Sequence, residues 1–269
     1  MSSLKDKVIF LTGATKGFGK AFALKAAEEG AKIALVSKVV HQNASNKDTI
    51  FTMADQINAM ESGAEALALQ TDIRYDDQVE RAIEKVMEQF GQIDICINAA
   101  SVNPSNGNKP LDMTAFDLYH QINVRSIAMI AESLRPIMKH AENPHILCLA
   151  PSEACIQGLT PSDIGYTFSR SSVTHMVHYL AKYLASEEIA VNALWPKGPI
   201  DQFEQEFFGY AESDAEPMSI ALMVDAAIEI LKQPSRQFTG RICQDQAILA
   251  ESGAYDLNEY YPDQLVQSS

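Results

Sequence analysis

Tyr166 and Arg170 stand four residues apart in Tyr166-Thr-Phe-Ser-Arg170, inside a stretch whose apolar spacing predicts a helix. Four residues is close to one helical turn, so the phenol and the guanidinium share a face. A free tyrosine, with a pKa of about 10, is a poor base at neutral pH. A fixed cation beside it stabilises the phenolate and lowers that pKa. The pair is therefore a candidate proton donor and acceptor, of the kind needed when an oxygen gains or loses a proton while its carbon changes oxidation state.

A second constellation lies near the start, in Thr12-Gly13-Ala14-Thr15-Lys16-Gly17-Phe18-Gly19. It joins a predicted strand, Lys7–Leu11, to a predicted helix over Gly19–Glu29, with Ala21, Leu24 and Ala27 on one side. Glycines at 13, 17 and 19 allow a tight turn and a close backbone approach to a pyrophosphate, and the helix N-terminus offers N–H groups to the anion. At the head of an alternating strand–helix chain, this turn points to a dinucleotide. Charge selects which one. An NAD site commonly ends the second strand on an acid that holds the ribose 2′-hydroxyl. Here that strand ends Val36-Ser37-Lys38-Val39, without a carboxylate, and Lys16 lies inside the turn. Two lysines and no acid favour the 2′-phosphate of NADP(H).

The elements that must hold these residues alternate along the chain. Strands are predicted at Lys32–Ser37, Ala66–Gln70, Ile93–Ile97, His145–Leu149, Ala190–Leu194 and Arg241–Asp245. Helices are predicted at Phe51–Ser62, Asp76–Phe90, about Ala115–His140, about Gly165–Ser186 and Met218–Gln233. Repeated strand–helix–strand units with right-handed crossovers give a doubly wound parallel sheet covered on both faces, a Rossmann-type three-layer α/β fold in a single domain over residues 1–269. The polar excursion Val39–Thr49 is long for a strand-to-helix connection. The polar, irregular tail after Gly253 is expected either to pack on a neighbouring subunit or to fray.

The 269 residues suit one large domain, and a hydrophobic content of 46% is ordinary for a soluble protein. No apolar run approaches the length of a membrane span. Met1-Ser-Ser-Leu-Lys-Asp-Lys7 has no signal-peptide layout. Cys96, Cys148, Cys155 and Cys243 are scattered, as buried thiols are, which suits a reducing cytoplasm. The histidines have no metal-ligand spacing, so no metal is expected. A formal net charge of −14 argues against general nucleic-acid binding, and any phosphate pocket must be built locally.

Several motifs in order now carry a resemblance. The glycine turn is followed by Asp72-Ile73 after the third strand, Asn98-Ala99-Ala100-Ser101 after the fourth, Asn123 in the next helix and the Tyr166 segment. Over nearly its whole length the chain resembles the short-chain dehydrogenase/reductase family. Asn192-Ala-Leu-Trp-Pro-Lys197 and the ending Phe238-Thr-Gly240 to Glu251-Ser-Gly253 are similar to its hydroxysteroid dehydrogenase-like and citronellol dehydrogenase-like branch. The resemblance implies NADP(H) and oxidation of an alcohol or reduction of a carbonyl. It also implies a homotetramer or homodimer assembled through the helices around Asn123 and Tyr166. Asp72 and Ile73 would meet the adenine, and Asn98, Ala99 and Ala100 would line the adenosine-ribose side. Asn123 would hold a water in a proton relay, and Tyr166 would be the acid/base. Pro196 and Ile200 would border the nicotinamide.

The chain also departs from that pattern. Arg170 stands where the family has lysine beside the nicotinamide ribose. Guanidinium is wider and planar, whereas ammonium is a compact donor. On this reading Arg170→Lys keeps or raises activity. Ala99 replaces a usual asparagine, and Lys197 replaces a usual glycine. Ser152, fourteen positions before Tyr166, is taken as the substrate-oxygen donor, although an ungapped comparison sets Ala150 there. Phe203, Phe207, Phe208 and Tyr210, interleaved with Asp201, Glu204, Glu206 and Glu212, form either an acid-rimmed lid around 200–217 for a small apolar substrate or an ordinary amphipathic packing face. Two functions stand: an NADP(H)-dependent oxidoreductase, and a cofactor-binding protein with little turnover in a sensing or assembly role.

Overall fold

A computed structural model describes residues 4–42, 48–102, 112–150, 164–198, 200 and 218–261. Its strands are β1 (Val8–Thr12), β2 (Lys32–Ser37), β3 (Glu65–Gln70), β4 (Ile95–Asn98), β5 (His145–Leu149), β6 (Ala190–Trp195) and β7 (Ile242–Gln244). They form one parallel sheet in the order β3-β2-β1-β4-β5-β6-β7. Every residue of β1, β4, β5 and β6 is buried. Strands covered on both faces must be apolar without alternation, which is why these runs read so clearly.

The helices are α1 (Gly17–Glu28), α2 (Ile50–Asn58), α3 (Asp76–Phe90), α4 (Met113–His120), α5 (Ser126–Met138), α6 (Ile164–Tyr183), α7 (Ala221–Lys232) and α8 (Asp245–Ser252). Helix α1 turns inward on Phe18, Phe22, Ala23, Ala26 and Ala27, so its buried face lies to one side of the predicted Ala21–Leu24–Ala27 stripe. The polar excursion before α2 is closed at its ends. The Ile50 N–H donates to the Val39 carbonyl at 3.4 Å, and Thr49 and Thr52 form a capping box.

Three expectations need correction. The single helix over Ala115–His140 is α4 and α5 joined by a π-helical turn, Gln121–Arg125, that contains Asn123. The last strand is shorter than predicted, because Asp245 already opens α8. The tail, as far as Tyr261, folds back on its own chain. Tyr260 donates to Asp225 at 2.6 Å and Tyr255 to Glu229 at 2.9 Å, which anchors it on α7.

At the amino end of β5, His145 is 1% exposed, and its Nε2–H donates to the Gln233 carbonyl at 2.9 Å. Burial lowers its pKa to about 4. The unfolded chain therefore binds a proton below about pH 6.5, whereas the folded chain resists it until about pH 4. Unfolding takes up that proton, so this group costs stability as pH falls through the window. Urea unfolding of wild type and His145→Gln at pH 7.5 and pH 5 tests this. The substitution should become more favourable by about 2 kcal/mol at the lower pH.

Candidate functional site

The chain order reverses at β1. After β3 it returns to the other side of β1 to lay down β4, which opens a crevice at the carboxyl ends of these strands. The turn after β1 fits this place through its lack of side chains. Gly13 has φ +74°, and a Cβ there would lie 2.6 Å from the Ala100 nitrogen. A Cβ on Gly19 would lie 2.3 Å from the Gly13 carbonyl oxygen. Thr12 fastens the turn to the segment after β4, because its Oγ1 accepts from the Ala100 N–H at 3.2 Å and donates to the Ile97 carbonyl at 3.4 Å.

A groove follows, lined by Gly13, Thr15, Lys16, Ser37, Lys38, Asp72, Ile73, Ala99, Ala100 and Ser101, and closed by Val102, Leu118 and Ile122. Eight of the candidate site residues named from the sequence thus meet in one place. Gly17, with φ +50°, and Gly19 shape the start of α1. Phe18 is buried and stacks on Phe22, so its side chain belongs to the core. Asn98 is buried too, and its Nδ2 faces the Cys148 sulfur at 3.7 Å instead of the groove.

The groove's charge is local. Lys16 and Lys38 both line it and are exposed. Asp72 is the only acid among its described lining residues, and Arg74 engages it through Nε at 2.9 and 3.0 Å and Nη2 at 2.5 Å. Hydrogen bonding from Arg74 holds the Asp72 carboxyl below the ordinary aspartate value, with Lys38 adding to the effect. The groove thus presents two lysines and a carboxylate already countered by arginine. The residues fit a dinucleotide in a further respect. The Ser101 hydroxyl oxygen is buried, with no hydrogen-bond partner among the described residues.

Beyond the groove lie the residues named for chemistry. Asn123 is 1% exposed. Its Oδ1 accepts from the Val102 N–H at 3.4 Å, and its Nδ2 donates to Ser169 Oγ at 2.9 Å; Ser169 in turn donates to the Tyr166 carbonyl at 2.7 Å. The Asn123 side chain thus ties the π-helical turn to α6. Such turns break the regular backbone ladder and recur at functional sites. Tyr166 is buried, its ring edge-on to Tyr119 at 5.7 Å. Gly165 makes this approach possible, since a Cβ there would lie 3.1 Å from the Phe116 Cα.

Arg170 is 3% exposed. Its Nη2 donates to the Leu149 carbonyl at 2.5 Å, and its guanidinium carbon lies 5.5 Å from the centre of the Trp195 ring. Pro196 is buried, and Ile200 is buried and bridges Met218. The Lys197 N–H donates to Asp245 at 3.0 Å, and burial pushes the Asp245 carboxyl up to about 6. Ser152 and residues 201–217, with the aromatic positions of the expected lid, lie outside the described residues.

Sequence reasoning missed Ser37 and Thr71, although both sit at the carboxyl ends of strands beside the switch point, where the fold itself directs attention. Leu118, Ile122, Ser169 and Trp195 enter only through tertiary contacts, for which no local signal exists.

A family model described as short chain dehydrogenase matches residues 7–203. Hydroxysteroid dehydrogenase-like protein 2 of Danio rerio is 35% identical over 252 residues, which cover 94% of this chain and 60% of that protein. The protein of the same name from Rattus norvegicus is 33% identical, with 94% and 47% covered. The chain therefore spans about half to three-fifths of the length of these relatives. A putative dehydrogenase from Xanthomonas campestris has a TM-score of 0.84 at 33% identity, covering 98% of this chain and 96% of its own. A short chain dehydrogenase from Mycobacterium thermoresistibile has a TM-score of 0.84 at 35% identity, with 96% and 91% covered. A metagenomic blue fluorescent protein in complex with NADPH, 22% identical with a TM-score of 0.73 and 90% and 97% covered, shares the fold. With its parallel sheet, its glycine-shaped crevice and the match over residues 7–203, the chain belongs to the short chain dehydrogenase family.

Proposed function

We propose that the protein is an NADP(H)-dependent oxidoreductase acting on a small apolar alcohol, aldehyde or ketone in the cytoplasm. The observation that carries this reading is the groove lined by Lys16 and Lys38, in which the Arg74-bound Asp72 is the one acid among the described lining residues. When bound, the dinucleotide supplies or accepts the hydride. The turn around Gly13, Thr15, Gly17 and Gly19 admits its pyrophosphate to the α1 N-terminus, and Lys16 and Lys38 take the 2′-phosphate. Asp72, Ile73, Ala99 and Ala100 bound the adenosine end, while Pro196 and Ile200 border the nicotinamide.

Tyr166 gives its phenolic proton to the substrate oxygen during reduction and takes it back during oxidation. The cation of Arg170, one turn along α6, favours the phenolate. Asn123 and Ser169 hold the Tyr166 turn against the π-helical segment. Ser152 orients the substrate oxygen, and the segment around 200–217 closes over an apolar substrate. Turnover of NADPH with a panel of apolar aldehydes and ketones tests the reading. Oxidation of NADPH by at least one of them supports it, and binding without turnover across the panel favours the alternative.

That alternative, a cofactor-binding protein with little turnover in a sensing or assembly role, draws support from one contact. The Arg170 guanidinium is engaged by Leu149 and Trp195, where the family's lysine would serve the ribose.

Assembly through α4 and α6 is part of the proposal. Ile127, Ile130 and Ala131 are buried in the chain's own core. Large apolar side chains are exposed at Met113 of α4 and at Ile164, Phe168, Tyr179 and Tyr183 of α6, which are 44% to 70% exposed. A two-fold pairing of these helices would cover them. Light scattering at micromolar concentration should give a dimer or tetramer mass, and a mass near 29.5 kDa would refute the pairing.

A further inference from the structure

The ladder between β5 and β6 ends at the pair Leu149 and Leu194, with one more bond from the Ala150 N–H to the Leu194 carbonyl at 3.3 Å. From here the chain continues into the segment that carries Ser152 on one side and Pro196–Ile200 on the other. Arg170 reaches this point from α6. One guanidinium nitrogen is bonded to the carbonyl of the last residue of β5, and the guanidinium lies over the ring of the last residue of β6. Arg170 and Trp195 are 3% and 2% exposed.

A cation buried this deeply is stable only where fixed partners replace its water. Guanidinium can meet an indole face with its flat side while its in-plane N–H groups reach a carbonyl. Ammonium is a compact point charge on a flexible stem, so a lysine has no planar group to lay on the indole while a second nitrogen reaches the carbonyl. Arginine at 170 therefore matches the tryptophan at 195.

We propose that Arg170 is a positioning residue: by spanning the Leu149 carbonyl and the Trp195 ring it fixes the ends of β5 and β6 against the helix that carries Tyr166. The inference rests on the reading of Tyr166 as proton donor. It reverses the sign expected from the sequence for Arg170→Lys, because the compact donor gives up the joint contact instead of restoring a ribose contact.

Trp195 is the chain's single tryptophan, so its emission reports this contact without activity. The variants are Arg170→Lys, Trp195→Phe, Trp195→Leu and the double Arg170→Lys/Trp195→Leu, each checked for folding by circular dichroism and thermal midpoint. Arg170→Lys and Trp195→Leu should each lower kcat about tenfold or more, as loss of geometry near 1 Å does. KM for NADPH should move less than about threefold, since the cofactor groove is untouched. The double variant should be no worse than the poorer single, because both break one joint contact. Trp195→Phe keeps an aromatic face and should retain most of the rate. In Arg170→Lys, the Trp195 emission should change and acrylamide should quench it more readily.

Activity in Arg170→Lys at or above wild type, additive losses in the double variant, or unchanged Trp195 emission would each overturn the inference. Failure of the underlying reading has a different signature. If wild type shows no turnover, or Tyr166→Phe leaves it intact, the proton-donor assignment falls while the emission of Arg170→Lys still decides the Arg170–Trp195 contact.

Discussion

Tyr166→Phe should reduce turnover by about a thousandfold, within the range that general acid–base groups contribute, and leave NADPH affinity within about twofold of wild type. The substitution deletes one oxygen. It keeps the ring that meets Tyr119 edge-on, and the link from Asn123 through Ser169 ends on the Tyr166 backbone carbonyl, which survives. The groove around Lys38 and Asp72 contains neither Tyr166 nor its neighbours on α6 among its described lining residues, so binding has no reason to follow rate. Steady-state kinetics beside a fluorescence titration of NADPH separates the two. Equal losses of rate and affinity would mean that Tyr166 supports the fold and not the proton transfer.

Lys38→Asp should reverse the cofactor preference. Wild type is expected to bind NADPH more tightly than NADH, because Lys16 and Lys38 face the 2′-phosphate. Exchanging a cation for an anion on an exposed part of the groove should shift the ratio of the two affinities by about 2 kcal/mol, roughly thirtyfold. Arg74 keeps Asp72 engaged in the variant, so the new carboxylate is added to a groove that has lost a cation. Titrations with both cofactors at modest salt measure the shift, which should shrink as salt rises. Equal NADPH and NADH affinities in wild type would remove the basis for assigning Lys38 to the phosphate.

What could be read from the sequence follows from which features are local. Strands such as Val8–Thr12 and His145–Leu149 stand out because burial on both faces demands an unbroken apolar run. The glycine turn and the end of β2 carry their signal within a few residues, and Gly13, Lys16 and Lys38 line one groove. The break at Gln121–Arg125 was hidden, since the apolar period runs through it and only packing against α6 makes the π-helical turn favourable. Helix α8 is hidden because Asp245 follows a three-residue strand directly and reads as its extension.

Roles that depend on register were equally hidden. Nothing local tells that Thr12 latches onto Ala100, or that Arg170 meets Leu149 and Trp195. The resemblance placed Arg170 at a ribose. The tertiary contacts direct it to the ends of two strands.

The central claim is that NADPH held in this groove reduces an apolar carbonyl with Tyr166 as proton donor. The most direct measurement is the loss of reduced-nicotinamide absorbance on mixing wild type, preloaded with NADPH, with a panel of apolar aldehydes and ketones, run in parallel with Tyr166→Phe preloaded to the same occupancy. The account predicts oxidation of the bound NADPH by wild type with at least one member of the panel and oxidation about a thousandfold slower by the variant. Full occupancy with no oxidation in either protein, or equal oxidation in both, would contradict it.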